Sequence, residues 1–316
     1  MIDSDASDGL YDVGKQLDRL YLAMREIDND IPQYLFHYTN PQGLVGIVTS
    51  KKLWASSADF LNDSSEPSYA FGVLKTCFDE IVSSLRPGSI AAEALDGYWE
   101  QIMHAYETEG PHVYVFCLSD DDDLLSQWRA YGGQCGGYAV GFSGIRLREY
   151  FTQSRYQGQY LMKIVYDEEK QMAKAKHVFR NIISIIEEVE EKRAAINDKT
   201  VTLNATQIGK RLQTAVFSEV VRLRTTFKAR AFQEEREWRI VQFLHPAMEK
   251  PEVQFRPDSK ALTPYVELDL GMLPIERVTI GPILDPSLSR QSLDRLFAKQ
   301  KYSSVCIKNS DVPYRQ

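Results

Sequence analysis

Only five histidines occur in the 316 residues, and one of them, His37, ends a short apolar run in "YLFHYTNP". An imidazole titrates near neutral pH, so it can move a proton or hold a ligand hydroxyl. It can equally close a strand as a plain hydrogen-bonding group. Three further polar clusters lie at the ends of strand-like runs. In "SSADFLNDSSE" (56–66), Ser56, Asn62, Asp63 and Glu66 gather acceptors just after a Trp-bearing segment, a pattern that also fits a turn followed by a helix cap. In "CLSDDDDLLSQWRAYGG" (117–133), Ser119 precedes four aspartates, Asp120–Asp123. Such a run attracts divalent cations, but the alternating ligand spacing of a calcium loop is missing, so a solvated loop is expected and no metal. Trp128 and Tyr131 are three apart, sharing one face of a helix that is either core or a platform for a flat ligand, while Arg129 points elsewhere. In "FQEEREWRIVQF" (232–243), read as a strand, Glu235, Glu237 and Arg239 share a face. Two carboxylates so placed repel, and one must shift its pKa or recruit a cation; a surface strand in which Arg239 neutralises Glu237 is the plainer account.

Several chemistries have no motif here. GxxxxGK[ST], GxGxxG after a strand, HExxH and GxSxG are all absent from the sequence. "GGQCGG" reads as a flexible turn entering a strand, and so does not substitute for a phosphate loop.

The elements that must position these groups follow from periodicity. Residues 1–30 read as an acidic tail and an amphipathic helix. Tyr34–Tyr38 reads as a strand, and Asn40-Pro41 starts a helix with a cap and a first-turn proline, its apolar face formed by Leu44, Ile47 and Val48. "KKLWASS" is a second strand. A polar loop then enters a helix to about Leu85, and one more helix ends near Tyr106. "HVYVFCLS" is almost continuously apolar, as a strand buried on both faces would be. "YAVGFS" and "YLMKIVY" are further strands. Two long helical stretches within about 168–228, broken at Asn197–Asn204, read as a helical hairpin inserted in a β scaffold. Four strand candidates and one helix complete the chain. The fold class is therefore α+β, with residues 31–316 as a single domain.

Composition bounds the function. The chain has 43% hydrophobic and 26% charged residues, as soluble globular proteins do. Its net charge of −7 argues against nonspecific nucleic-acid binding. No apolar run reaches the ~20 residues of a membrane span, and the acidic start lacks the order of a signal peptide. The four cysteines lie far apart and read as reduced, mostly buried thiols of a cytoplasmic protein.

The pattern "FHYTNPQGLVGIVTSKKLWASS…FLNDSSE", "VFCLSDDDDLLSQWRAYG…GYAVGF", "EREWRIV" and a terminal "VPYR" resembles a large bacterial family classed as a domain of unknown function. More distantly, the order of His37 in a first strand, a helix from Pro41, Ser56-Ser57 ending a second strand and Glu235-x-Glu237 in a late strand resembles the ADP-ribosyltransferase superfamily. That resemblance implies a split, mostly antiparallel β core flanked by helices, with NAD as substrate and a macromolecular acceptor not identified by the sequence. It implies that His37 binds a ribose hydroxyl, that Ser56 matches the second-strand residue, and that Glu237 supports the charge developing as the glycosidic bond breaks. Tyr131 or Trp128 would stack on nicotinamide, with Tyr38, Ser119, Arg129 and Arg239 beside them. The expected function is ADP-ribosyl transfer or NAD hydrolysis, as in a toxin or antiphage effector. A non-catalytic sensor or interaction module of a defence or stress system stands as the alternative, and a metal-dependent nuclease using Asp63, Glu66 and Asp120–Asp123 as a third.

Overall fold

The computed structural model describes residues 30–61, 66–109, 113–133, 136–153, 158–195, 205–244, 251–257, 262–282 and 284–313. The expected tail and N-terminal helix, up to residue 29, lie outside them. In chain order the elements are β1 (Tyr34–Thr39), α1 (Pro41–Ser50), β2 (Lys52–Ser57), α2 (Glu66–Ser83), α3 (Ile90–Leu95), α4 (Tyr98–Glu109) and β3 (Val113–Ser119). Next come α5 (Leu125–Tyr131), β4 (Tyr138–Ser143), α6 (Gly144–Gln153), β5 (Gln159–Lys163), α7 (Glu168–Ala195) and α8 (Ala205–Arg224). The chain continues with β6 (Glu237–Phe243), β7 (Gln254–Pro257), β8 (Leu262–Asp269), β9 (Ile275–Ile280), α9 (Pro286–Lys299) and β10 (Cys306–Asn309). The class is α+β, with a mostly antiparallel open sheet.

These residues fall into two compact units. The first lies within 63–111 and 165–230 and is helical. The hairpin of α7 and α8 belongs to it, together with α2, α3 and α4, around a core that includes Leu74, Cys77, Phe179, Ile182, Leu212 and Leu223. Where one helix was expected before Tyr106 there are two, divided at Asp96-Gly97, and Gly97 takes a left-handed φ of 60° that glycine adopts at no steric cost. Glu219 and Arg222 form a buried ion pair one turn apart on α8.

The second unit lies within 27–62, 112–164 and 231–316 and holds the sheet. Its strands pair antiparallel throughout, except β9 with β10. The expected helix start is observed: the Asn40 side chain accepts from the Gly43 amide at 2.8 Å, Pro41 opens α1, and Leu44, Ile47 and Val48 are buried. Lys51 then ends it at a left-handed φ of 57°. One face of the sheet buries Leu35, Phe116, Phe142, Trp238, Ile240 and Val266; the other buries Phe36, Tyr38, Trp128 and Ala139.

β3 is the strand on which the sheet divides. One of its edges runs against β6 along its whole length, from Val113↔Phe243 to Ser119↔Glu237. Its other edge is shared: β1 meets it at Phe36↔Ser119, and β2 at Ser56↔Val115 and Ser57↔Tyr114. Along Phe116–Leu118 that edge has no ladder partner among the described residues, which leaves a fork between β1 and β2. The continuous apolar run of β3 is explained by this position, because every side chain but Cys117 is buried.

Candidate functional site

His37 occupies the fork. Its Nδ1 is 2.9 Å from the carbonyl oxygen of Cys117, one of the β3 groups that neither β1 nor β2 reaches. A buried carbonyl must find a donor, so this contact fixes Nδ1 as the protonated nitrogen and leaves the lone pair on Nε2. The ring stacks on Phe116 at 4.2 Å between centroids. Burial, and more weakly the charge of Arg256, lower the His37 pKa to about 4, with the Cys117 carbonyl opposing them. His37 is therefore a neutral imidazole at pH 7.

Ser56, near the end of β2, lies on the sheet face of Phe36 and Glu237, opposite that of His37, and there meets a residue that the sequence pattern did not single out. Arg256, on the four-residue strand β7, donates from Nη2 to Ser56 Oγ at 3.0 Å. Trp54 lies two residues before Ser56 on β2 and stacks on Tyr265 of β8 at 4.5 Å and 27°. Tyr265 pairs directly with Ser56 and bonds Gln254 Oε1 through its hydroxyl at 2.8 Å. Strand β7 went unforeseen because it is short and half exposed, with none of the apolar density that marked β3.

Glu237 opens β6, but Glu235 does not share its strand. Arg230–Glu235 is a 3-10 turn, and Arg236 sits at a left-handed φ of 50°, so the strand read across 232–243 begins only at Glu237. Glu237 and Arg239 do lie on one face of it. They form a buried bidentate pair, with Arg239 Nε to Oε1 at 2.7 Å and Nη2 to Oε2 at 3.0 Å. The expected cation is therefore present, though buried at 5% and 1% exposure rather than on a surface strand. Glu235 contributes its carbonyl, which accepts from Ser119 Oγ at 2.8 Å. Phe36, Ser119 and Glu237 line up across β1, β3 and β6, placing Glu237 about 10 Å from β1, backbone to backbone. The pleat turns His37 to the face opposite Phe36 and Glu237.

The aspartate run is no solvated loop. Arg236 Nε lies 2.5 Å from Asp120 Oδ1, an ion pair not aligned as a hydrogen bond, and Arg236 Nη1 donates to Asp121 Oδ2 at 2.8 Å. Asp122 receives Thr279 Oγ1 at 2.6 Å and Lys308 Nζ at 2.9 Å. Asp123 accepts from Trp128 Nε1 at 2.8 Å, from Ser310 Oγ at 2.5 Å and from the Asp311 amide at 2.7 Å. Four consecutive carboxylates thus tie the end of β3 to α5, β9, β10 and the segment after it. The sequence could not show this, because the partners are up to 188 residues away.

Trp128 belongs to that latch. It is buried at 4% exposure and meets Tyr38 edge-on at 4.7 Å, so its rings are core and unavailable as a stacking platform. Tyr38 donates to the Asp121 carbonyl and accepts from the Leu124 amide, each at 2.9 Å. Burial, and the nearby aspartates, push its pKa up. Tyr131 is exposed at the end of α5, as is Arg129. Gly132 and Gly137 cross closely: a Cβ on Gly137 would lie 2.6 Å from Gly132 Cα and 2.8 Å from the Thr39 carbonyl. Asn62 and Asp63 lie outside the described residues; Glu66 opens α2, and its side chain is not among those described. Among the described residues no group of three or more His, Cys, Asp or Glu side chains is arranged to hold a metal. No described helix is long and apolar enough to cross a membrane. Of the thiols expected to be mostly buried, Cys77 is, whereas Cys117 is half-buried and Cys306 exposed; Cys135 is outside the described residues.

No curated protein and no solved structure shows significant similarity to the chain. Residues 127–240, from α5 through the first half of β6 and including Trp128, Glu237 and Arg239, match a family described as "Protein of unknown function (DUF2971)".

Proposed function

We propose that the fork is a dinucleotide site and that the chain uses NAD as substrate, as an ADP-ribosyltransferase or NAD glycohydrolase on a split β core of the ADP-ribosyltransferase type. The observation that carries this reading is the neutral His37 held in the fork between β1 and β2, close enough to Arg256 to feel its charge. Groups suited to NAD stand around the fork, on the two faces of the sheet. His37 Nε2 is an acceptor for a ribose hydroxyl, and Arg256 is a cation for phosphate oxygens. Glu237 offers a carboxylate for the positive charge that develops on the ribose. In the reaction, the bond between ribose C1′ and the nicotinamide nitrogen breaks with its electron pair on nicotinamide. Water, or a nucleophile of the acceptor, then bonds to C1′ and gives up its proton. The test is nicotinamide release from NAD by the purified chain and by Glu237→Gln. Release by the parent, and a fall of at least about a hundredfold in the variant, are expected.

A second reading, a nucleotide sensor or interaction module without chemistry, is favoured by one arrangement. Glu237 is paired with Arg239 and stands on the sheet face opposite His37. Binding of NAD without nicotinamide release would select this reading. Neither binding nor release would remove both.

A further inference from the structure

The chain carries 44 acidic and 37 basic side chains, so a half-buried cation ordinarily finds a carboxylate. Arg256 does not. Among the described residues its one hydrogen-bond partner is the Ser56 hydroxyl, and its Nε is buried with no partner at all. An orphaned donor on an uncompensated guanidinium is costly to hold in place, and a bound anion would relieve both deficits. Because Ser56 Oγ accepts from Arg256, its own proton is left to donate.

A flat apolar surface stands beside this charge. Trp54 is 43% exposed and is braced from behind by buried Tyr265. Trp54 and Ser56 are two residues apart on one strand, hence on one face and about 6.6 Å apart along it. That separation suits a ligand with a planar ring on one side of a sugar and a phosphoryl group on the other.

We infer that Arg256 and Ser56 bind the phosphoryl group of a nucleotide whose base stacks on Trp54. The subsite adjoins the fork named in the proposed function, on the sheet face of Glu237, and rests on that reading for its location, but it requires binding alone and no bond cleavage. Trp54, Tyr265 and Arg256 are additions to the sequence-derived site, contributed by strands β2, β8 and β7.

Calorimetric titration of AMP, adenosine and inorganic pyrophosphate into the full chain tests the inference. AMP should bind the parent more tightly than adenosine. Arg256→Gln should weaken AMP at least about tenfold and leave adenosine unchanged, whereas Trp54→Ala should weaken both. Arg256→Lys, with far-UV circular dichroism on each variant, guards against a folding defect: retained charge on a native fold should keep part of the AMP affinity. Equal AMP affinity in the parent and Arg256→Gln, or no binding of AMP or pyrophosphate to the parent, overturns the inference. Pyrophosphate binding as tightly as AMP, indifferent to Trp54→Ala, overturns the base-stacking half and leaves a bare phosphate site. AMP binding without nicotinamide release breaks only the NAD reading, and nicotinamide release with AMP indifferent to Arg256 breaks only this one.

Discussion

Asp120–Asp123 and Arg256 both bring charge to the same sheet, but among the described residues the first is met at every carboxylate and the second by a single hydroxyl. Around the aspartates, Arg236, Lys308, Thr279, Ser310, the Asp311 amide and Trp128 supply cations and donors, so each carboxylate has a partner within the chain, Asp120 through an ion pair not aligned as a hydrogen bond. Around Arg256 a guanidinium with no carboxylate partner among the described residues, a hydroxyl with a proton to give and an exposed indole share one face of the sheet, and the neutral imidazole of His37 stands at the fork on the other. A satisfied polar network specifies a structure, whereas an unsatisfied one stores a capacity to bind. Density of charge in the sequence therefore pointed to the latch, and the deficit of partners in the fold points to the site.

The sharpest way to break this contrast is Asp123→Ala. It strips the acceptor from the Trp128 indole, the Ser310 hydroxyl and the Asp311 amide together, and should lower the unfolding free energy by about 3 kcal/mol. Urea unfolding followed by near-ultraviolet dichroism measures it. Lys308→Met removes only a partly exposed partner of Asp122 and should cost about 1 kcal/mol or less. If Arg256→Gln is as destabilising as Asp123→Ala, the two regions are alike and the contrast fails.

A smaller effect concerns pH. The His37 pKa is about 4 in the folded chain and near its ordinary 6.5 when unfolded. Between those values the unfolded chain binds a proton that the folded chain does not. Stability through His37 is thus complete above about pH 6.5 and falls as pH drops toward 4, by up to about 1.4 kcal/mol per pH unit. Urea midpoints at pH 7 and pH 5.5 should separate more in the parent than in His37→Asn. Equal separations would mean that His37 is not held neutral in the fork.

Much of this frame was legible in the chain. The capped start of α1, the buried β3, the strands β1 and β2 on either side of α1 and the long hairpin of α7 and α8 follow from caps and periodicity, which are local properties. Glu237 with Arg239 was legible too, since alternation alone puts them on one face. What escaped has a common cause. The roles of Asp123 and Trp128 depend on Ser310 and Asp311, and Arg256 matters because no carboxylate among the described residues meets it. Neither a distant partner nor a missing one leaves a mark on nearby residues. Arg236 is the local exception: its left-handed backbone ends the strand pattern at Glu237 and removes Glu235 from the face assigned to it.

The most direct measurement is a calorimetric titration of NAD into the parent chain, His37→Asn and the latch variant Asp122→Asn. Binding to the parent, about tenfold weaker binding to His37→Asn and unchanged binding to Asp122→Asn are expected if the fork is the site and the aspartates are structure. No heat with the parent, or the same affinity in the parent and His37→Asn, would contradict it.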